Sequence, residues 1–485
     1  MSKRTEATWL AGILAVALAA RVILVTVVDP GPPLKGGDGP FYLTVAQNLA
    51  NGYGLSSGQL ATYKTDPIIT IGPLYPIYLS VFYVAFGGYV THPIIDPPVP
   101  FKGGDAWIRS ARLGQAVIGT LTVAAVYALA KQVAASAEPE KPGWRARAGL
   151  VAAGIMALDP RFIVETSAVY TETLLTFFII AALSIYLAAH LRSDARLYAL
   201  AWLILGLAAM TRPSALALYP VLLLHMWIAR PHAQALEQSI ILAGMLALIL
   251  TPWLVRNYLA LGKLTMFGDA AASHFWLGAI RNGEWQGLDD FMRQQLAIAG
   301  GDPNNPPYLQ VALTVIAQHP LGFVQLLGLK LARAYLQPMG TVFFSGPSLK
   351  ELTLDTVAGR MSLAALVSHA AFWPKLIIYI THFGTIVLGV IGMWHIRRAW
   401  RDTLPLILAV VVTSVTYALL TIIPRYLFPI MPVFVVFAAG TIVRLWPWHG
   451  PARAASTLRV RVPLPGQEPA HGGTAGDDPL RVQGG

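Results

Sequence analysis

Long uninterrupted apolar segments dominate this chain, and they limit what it can fold into. A helix needs about 20 apolar residues to cross the hydrocarbon core of a bilayer. Only 12% of the 485 residues are charged and 55% are hydrophobic, whereas a soluble domain has about 25% charged residues. The sequence therefore predicts an all-α polytopic membrane protein. The clearest spans are residues 7–28, 113–130, 173–189, 239–255, 376–394, 403–424 and 426–443.

Shorter apolar segments raise the expected number of spans to about 10 to 13. They include residues 148–158 and a pair, 198–211 and 214–229, that is separated by Arg212-Pro213. Residues 73–87 are rich in Tyr and Phe, which gather at membrane interfaces, so we predict a juxtamembrane helix there. Residues 321–336 fit either a span or an interfacial helix, and a later juxtamembrane helix is expected in this outer region.

The basic residues indicate how the chain is oriented in the membrane. The formal net charge is +11, and the Lys and Arg residues gather in short loops that are typical of the cytoplasmic side. These loops are the N-terminus and residues 131–147, 191–196, 230–237 and 395–402. We therefore predict cytoplasmic N- and C-termini, a first span retained as a signal anchor, and no nucleic-acid partner. Frequent Ala, Gly and Arg are typical of a GC-rich bacterium, hence a bacterial inner membrane.

The first predicted outer loop, residues 29–109, contains a carboxylate among glycines. Asp38 lies between Gly37 and Gly39 and precedes a segment in which Phe41 and Val45 recur at helical spacing. An Asp at this position is typical of a helix N-cap. It is equally compatible with a reactive carboxylate, because capping uses one oxygen and leaves the other available.

Further charges fall at the same predicted side of the membrane. Glu172 begins an apolar span, Arg212 separates two apolar segments, and Arg256 and Arg425 lie at the ends of others. A single arginine at a helix end is usually an anchor that reaches the interface. A charge at membrane depth costs a few kcal/mol unless it is paired or faces a polar cavity, so the group together predicts a shared cavity on the extracytoplasmic side.

Short motifs follow one another in a characteristic order along residues 7–445. In that order and spacing they resemble the GT-C membrane glycosyltransferases that use polyprenyl-phosphate sugars, especially the protein O-mannosyltransferase and lipid A aminoarabinose transferase branch. The motifs are Arg21, Gly37-Asp38-Gly39-Pro40-Phe41-Tyr42, Ala46-Gln47-Asn48-Leu49, Gly52-Tyr53-Gly54, Pro73-Leu74-Tyr75-Pro76, Thr171-Glu172, Thr211-Arg212-Pro213, Pro252-Trp253, Arg256-Asn257 and Arg425-Tyr426 with Pro429 and Pro432.

The resemblance implies a transferase with a lipid-linked sugar donor and a glycan, lipid or protein acceptor. By it, Asp38 is the catalytic aspartate, Glu172 the second acidic residue and Arg212 the neighbouring cation. Displacing a phosphate from the sugar needs a base for the acceptor proton and cations for the phosphate, and this scheme predicts inversion at the sugar carbon. The expected substrate- and phosphate-binding residues are Tyr42, Lys64, Arg212, Arg256, Arg281 and Arg425.

Two departures from the family pattern concern the sugar and the acceptor. Gly39 follows Asp38 where relatives carry a paired Asp-Glu, and Ile71-Gly72-Pro73-Leu74 replaces a Glu-Lys-Pro-Pro stretch. Lys64 is the nearby lysine that could take the place of the missing one. No Asp-x-Asp or His-Glu-x-x-His motif is present, so no metal site is predicted, and no cofactor beyond the lipid-linked donor.

The resemblance also suggests a domain organisation. Residues 1–256 would form the catalytic membrane module, 257–320 a large extracytoplasmic loop, 321–447 a C-terminal membrane module and 448–485 a disordered cytoplasmic tail.

Other classes of membrane protein remain open from sequence. A secondary transporter also has many spans and intramembrane charges, although transporters usually show related halves and none is visible here. A non-catalytic scaffold or an O-antigen ligase-type enzyme are further alternatives. The early Asp38 loop favours the glycosyltransferase.

Overall fold

The computed structural model describes residues 1–30, 38–57, 67–68, 70–87, 106–262, 264–266, 270–281 and 307–446. Those residues are almost entirely helical, and the pairing they show between extended segments is one isolated bridge between Ser56 and Pro67. The described part of the chain belongs to one compact unit, Met1–Trp446. The predicted tail, residues 448–485, lies outside the described residues, as do residues 263, 267–269 and 282–306 of the predicted loop 257–320. The all-α prediction is confirmed.

Nineteen α-helices are present in the described ranges. They are α1 (Lys3–Ile23), α2 (Gly39–Ala50), α3 (Leu74–Phe86), α4 (Ala106–Ala137), α5 (Pro142–Leu158), α6 (Pro160–Val164), α7 (Glu172–Arg192), α8 (Ala195–Thr211), α9 (Leu218–Ala229), α10 (His232–Leu261), α11 (Ala270–Arg281), α12 (Tyr308–Gln318), α13 (Pro320–Leu336), α14 (Leu349–Val357), α15 (Leu363–Ser368), α16 (Phe372–His395), α17 (Trp400–Leu419), α18 (Pro424–Leu427) and α19 (Met431–Leu445). A π-helical turn, Leu24–Val28, extends α1, and 3₁₀ turns Glu165–Ser167 and Pro213–Ala217 precede α7 and α9.

Seven helical segments of the described chain are long and apolar enough to cross a membrane, or eight if α12 and α13, which meet at 106°, form one broken span. The polytopic prediction is therefore confirmed. The count of about 10 to 13 is reached only if shorter helices such as α5, α8 and α9 also cross. A helix of 13 residues such as α3 is about 20 Å long, which is too short to span and suits the juxtamembrane position predicted for residues 73–87.

The core of the helical bundle is formed by α7 and by the segment that contains α18 and α19. In that last segment, Pro424–Leu445, 83% of the most apolar window is buried inside the protein, against 17% for α10. Helix α7 packs against α4 and α8, while α19 packs against α16 and α5. Apolar side chains on the exposed helices, such as Leu248 and Ile240 of α10, would face lipid, which requires no polar covering.

Ion pairs gather the predicted cytoplasmic loops at one end of the bundle. Lys131 contacts Glu6 at 2.5 Å and His190 contacts Asp402 at 3.1 Å. Helix α7 has 21 residues, so its first residue, Glu172, lies about 30 Å from this end. The fold thus separates the basic loops from the charged residues that begin and end the helices at the other side.

Candidate active site

Asp38 occupies the N-cap position of α2, but its side chain makes no capping hydrogen bond. Its Oδ2 instead accepts from Nη2 of Arg425 at 2.5 Å, and the Asp38 side chain is 47% exposed. The capping interpretation therefore accounts for the position of the residue and not for its carboxylate. The sequence alone could not distinguish a local cap from this contact, because Arg425 lies 387 residues away along the chain.

Glu172 lies beneath this pair and is almost completely buried, with 1% of its side chain exposed. Nη1 of Arg212 donates to its Oε1 at 2.9 Å, and Nε of Arg425 lies 3.1 Å from the same oxygen. The hydroxyl of Thr171 donates to the other oxygen at 3.3 Å. A buried carboxylate between two guanidinium groups is compensated in charge, and Glu172 is the common partner of both arginines.

Tyrosine rings cover the faces of the two guanidinium groups. The Arg212 guanidinium carbon lies 4.2 Å from the ring centre of Tyr426, and that of Arg425 lies 4.3 Å from Tyr170. Tyr417 adds a more distant ring at 6.0 Å from Arg212. Stacking of this kind is favourable for arginine and leaves the edge N–H groups to bind anions.

A cavity of about 550 Å³ opens beside this cluster, a size typical of small-molecule sites. Gly72, in the first loop, lines this cavity. A side chain there would collide with the end of α8, because a Cβ on Gly72 would lie 2.7 Å from the carbonyl oxygen of Thr211. The departure at Ile71-Gly72 thus has a packing reason. The lining residues are Asp38, Phe41, Tyr42, Thr70, Ile71, Gly72, Thr211, Arg212, Pro213, Ser214, Leu216, Ala217, His274, Thr416, Tyr417, Leu420, Thr421 and Tyr426.

Two cavity residues outside the predicted spans remain uncharged near neutral pH. Burial raises the pKa of the Tyr42 hydroxyl far above its ordinary value, although the Arg212 cation opposes the shift. Burial, together with the charge of Arg212, lowers the pKa of His274, and Asp38 opposes that shift. His274 Nδ1 also lies 3.3 Å from the Thr421 hydroxyl. Both side chains can therefore offer neutral hydrogen-bonding groups to a ligand.

The structure brings together only part of the predicted site. Asp38, Tyr42 and Arg212 line the cavity, and Arg425 and Glu172 are joined to them by ion pairs to Asp38 and Arg212. Lys64 lies outside the described residues, as does the side chain of Arg281, whose backbone ends α11.

Arg256 has a different environment from the one expected of a phosphate ligand. Its two Nη atoms donate to the backbone carbonyls of Leu55 and Ile68 at 2.7 and 2.8 Å, and it does not line the cavity. It ties the first loop to the end of α10. The sequence alone does not distinguish an arginine at a helix end that binds a loop from one that binds a ligand.

Sequence reasoning missed the aromatic part of the site. Tyr170, Tyr417 and His274 were not among the predicted site residues, although Tyr170 directly precedes Thr171-Glu172 and Tyr426 directly follows Arg425. Adjacency to the charged motifs was the available signal for these tyrosines. Among the described residues, no group of three or more acidic or histidine side chains is arranged to hold a metal ion.

The family model described as dolichyl-phosphate-mannose-protein mannosyltransferase matches residues 73–264, a range that includes Glu172 and Arg212. Comparison with curated protein sequences gives no match.

Solved structures match over most of the chain. The archaeal oligosaccharyltransferase AglB from Archaeoglobus fulgidus, in complex with an inhibitory peptide and a dolichol-phosphate, superposes with a TM-score of 0.52 at 15% identity, covering 90% of this chain and 50% of that one. The apo form of the Archaeoglobus fulgidus oligosaccharyltransferase gives 0.50 at 15% identity, covering 90% and 51%. ArnT from Cupriavidus metallidurans bound to undecaprenyl phosphate gives 0.39 at 15% identity, covering 92% and 79%.

The chain has the GT-C fold. The resemblance drawn from the sequence motifs is thereby confirmed by the family model and by the superposition on AglB. The chain spans about half the length of the archaeal oligosaccharyltransferase that it matches, so the likeness concerns the fold. A fold does not by itself determine a function. The charged cluster, with Asp38 before α2, Glu172 in α7 and Arg425 in α18, is the part of the fold that can carry chemistry.

Proposed function

We propose that this chain is a membrane glycosyltransferase that moves a sugar from a polyprenyl-phosphate donor to an acceptor on the extracytoplasmic face. The family model names a dolichyl-phosphate-linked sugar donor, and the matched AglB structure contains a dolichol-phosphate. In a bacterial inner membrane we expect the carrier to be undecaprenyl phosphate. The lipid tail would remain in the bilayer while the phosphate enters the cavity from the side.

One observation carries the proposal: a half-exposed carboxylate, Asp38, lines a cavity and pairs with Arg425, while Arg212 lines the same cavity and shares the partner Glu172 with Arg425. Transfer from a phosphate requires both parts, a base to accept the proton of the acceptor and cations to hold the leaving phosphate. We assign Asp38 as the general base. Arg212 and Arg425 hold the phosphate, and Glu172 holds the two arginines in place.

The remaining predicted residues receive roles that follow their surroundings. Tyr42 lines the cavity with a neutral hydroxyl and is suited to contact the sugar. Arg256 binds the backbone of the first loop. We therefore propose that it positions that loop, in place of the phosphate-binding role that the sequence suggested. Direct attack by the acceptor on the sugar carbon, opposite the phosphate, gives inversion of configuration.

Replacing Asp38 by Asn tests the assignment of the base. The Asn side chain keeps nearly the same volume but cannot accept the proton, so the transfer rate should fall at least about 100-fold. The measurement is mass spectrometry of lipid-linked and surface glycans from cells with the wild-type or variant chain. Asp355→Asn removes an equal charge from an exposed position that pairs with Arg360 and should leave transfer unchanged.

Two outcomes would contradict the proposal. Wild-type transfer by the Asp38→Asn variant would remove Asp38 as the base. An unchanged glycan profile on deletion of the protein, together with proton- or sodium-coupled uptake of a solute, would favour the transporter alternative.

A further inference from the structure

Arg425 lies between two carboxylates of unequal exposure. Its Nη2 contacts Oδ2 of Asp38 at 2.5 Å, and its Nε lies 3.1 Å from Oε1 of Glu172. Asp38 is 47% exposed, whereas Glu172 is 1% exposed and is also held by Arg212. The inner contact of Arg425 is therefore enclosed, and the outer contact faces the cavity and can be exchanged.

The outer contact conflicts with the role of Asp38 as a base. The guanidinium group donates to Oδ2 alone, so Oδ1 can still take a proton, but a carboxylate that is paired with a cation is a weaker base than a free one. The formal charges of the side chains of Asp38, Glu172, Arg212 and Arg425 sum to zero. An incoming phosphate anion therefore has to compete with Asp38 for Arg425.

The charge balance of the proposed reaction supplies the reason for an exchange. The acceptor oxygen forms a bond to the sugar carbon, the bond from that carbon to the phosphate oxygen breaks, and the acceptor proton passes to Asp38. The bonding electron pair stays on the phosphate, which gains one negative charge while Asp38 loses one. The favoured partner of Arg425 thus changes from the carboxylate to the phosphate during a single step.

We propose that Arg425 exchanges Asp38 for the donor phosphate, so that donor binding releases the catalytic base and proton transfer to Asp38 strengthens the hold on the leaving group. This inference rests on the proposed function. The ring of Tyr170, 4.3 Å from the guanidinium carbon, and the inner contact to Glu172 keep the group in place while Nη2 changes partner. The donor consequently binds before the acceptor can be activated.

The exchange predicts that removing the base tightens binding of the product. Undecaprenyl phosphate without a sugar is titrated into the purified full-length protein in detergent, and the Kd is compared between variants. We expect Asp38→Asn to bind about tenfold more tightly than the wild type, because Asp38 no longer competes with the phosphate for Arg425. Asp38→Ser should show the same gain if the Asn variant is poorly folded. Asp355→Asn, the charge-matched control, should bind like the wild type.

A double-mutant cycle assigns the effect to Arg425. Arg425→Gln alone should weaken binding, and in that background Asp38→Asn should no longer give a gain. An unchanged or weaker Kd in the Asp38 variants overturns the exchange, as does a gain that persists without Arg425. Absence of binding to the wild-type chain would overturn the proposed donor and the exchange together, whereas normal wild-type binding without the gain would overturn the exchange alone.

Discussion

Glu165 is a buried acid that lies close enough to the charged cluster for Glu172, Arg425 and Arg212 to affect its pKa. Its side chain is 2% exposed, and Oε1 has no hydrogen-bond partner among the described residues. Burial and the charge of Glu172 raise the pKa of Glu165 well above its ordinary value, although Arg425 and Arg212 oppose the shift. Burial therefore favours the neutral form of Glu165 over the charged form.

We predict that Glu165→Gln retains near-wild-type transfer, because an amide resembles the neutral acid in size and charge. The native state holds a proton that the unfolded chain releases, so the free energy of unfolding falls as pH rises from the ordinary carboxyl pKa toward the raised one. In the Gln variant this part of the fall should vanish. Thermal unfolding midpoints between pH 5 and about 8 in detergent measure it.

The contrasting variant is Glu172→Gln, which removes the anion shared by Arg212 and Arg425. It should lose most transfer activity, since two buried guanidinium groups are then left without their common partner. Equal loss of activity in both variants would show that Glu165 acts as a charged group after all.

At the scale of an element, α11 places His274 at the cavity by very close packing. Gly278 lies one helical turn after His274, on the same face. A Cβ on Gly278 would overlap the carbonyl oxygen of Leu420 and lie 2.8 Å from that of Leu419. Lys330 donates from the other side to the carbonyls of Gly278 and Leu420, at 3.2 and 2.8 Å. The helix is thereby fixed to the end of α17.

We predict that Gly278→Ala displaces α11 and lowers the transfer rate about tenfold or more, with a cost to stability of about 1–3 kcal/mol from overpacking. Transfer assays and unfolding midpoints of the purified variant measure the two effects. Gly328→Ala in α13 is the matched control, since nothing lies within 4 Å of its added Cβ and alanine favours helix. A Gly278→Ala variant with wild-type activity would show that α11 is not needed at the cavity.

At the scale of the whole molecule, the sequence predicted the helical membrane architecture and the side on which the charges gather, because apolar length and charge position are one-dimensional properties. It did not predict the partners. Whether Asp38 caps α2 or meets Arg425 depends on how distant helices pack, and so does the difference between Arg256, which binds a loop, and Arg212, which lines the cavity. Of the cation-stacking tyrosines that were missed, Tyr170 directly precedes Thr171-Glu172, whereas nothing next to Tyr417 in the sequence indicates that it lies near Arg212.

The orientation of the molecule can be tested directly, because the chain contains no cysteine and any introduced one is the only thiol. Helix α16 ends among the basic loops, so α14, which lies before it, should face the extracytoplasmic side together with the cavity. A membrane-impermeant maleimide should label Thr353→Cys in intact cells and label Glu140→Cys only after permeabilisation; both positions are exposed. The reverse pattern would put the cavity in the cytoplasm, where a donor phosphate would have to be presented from the opposite leaflet.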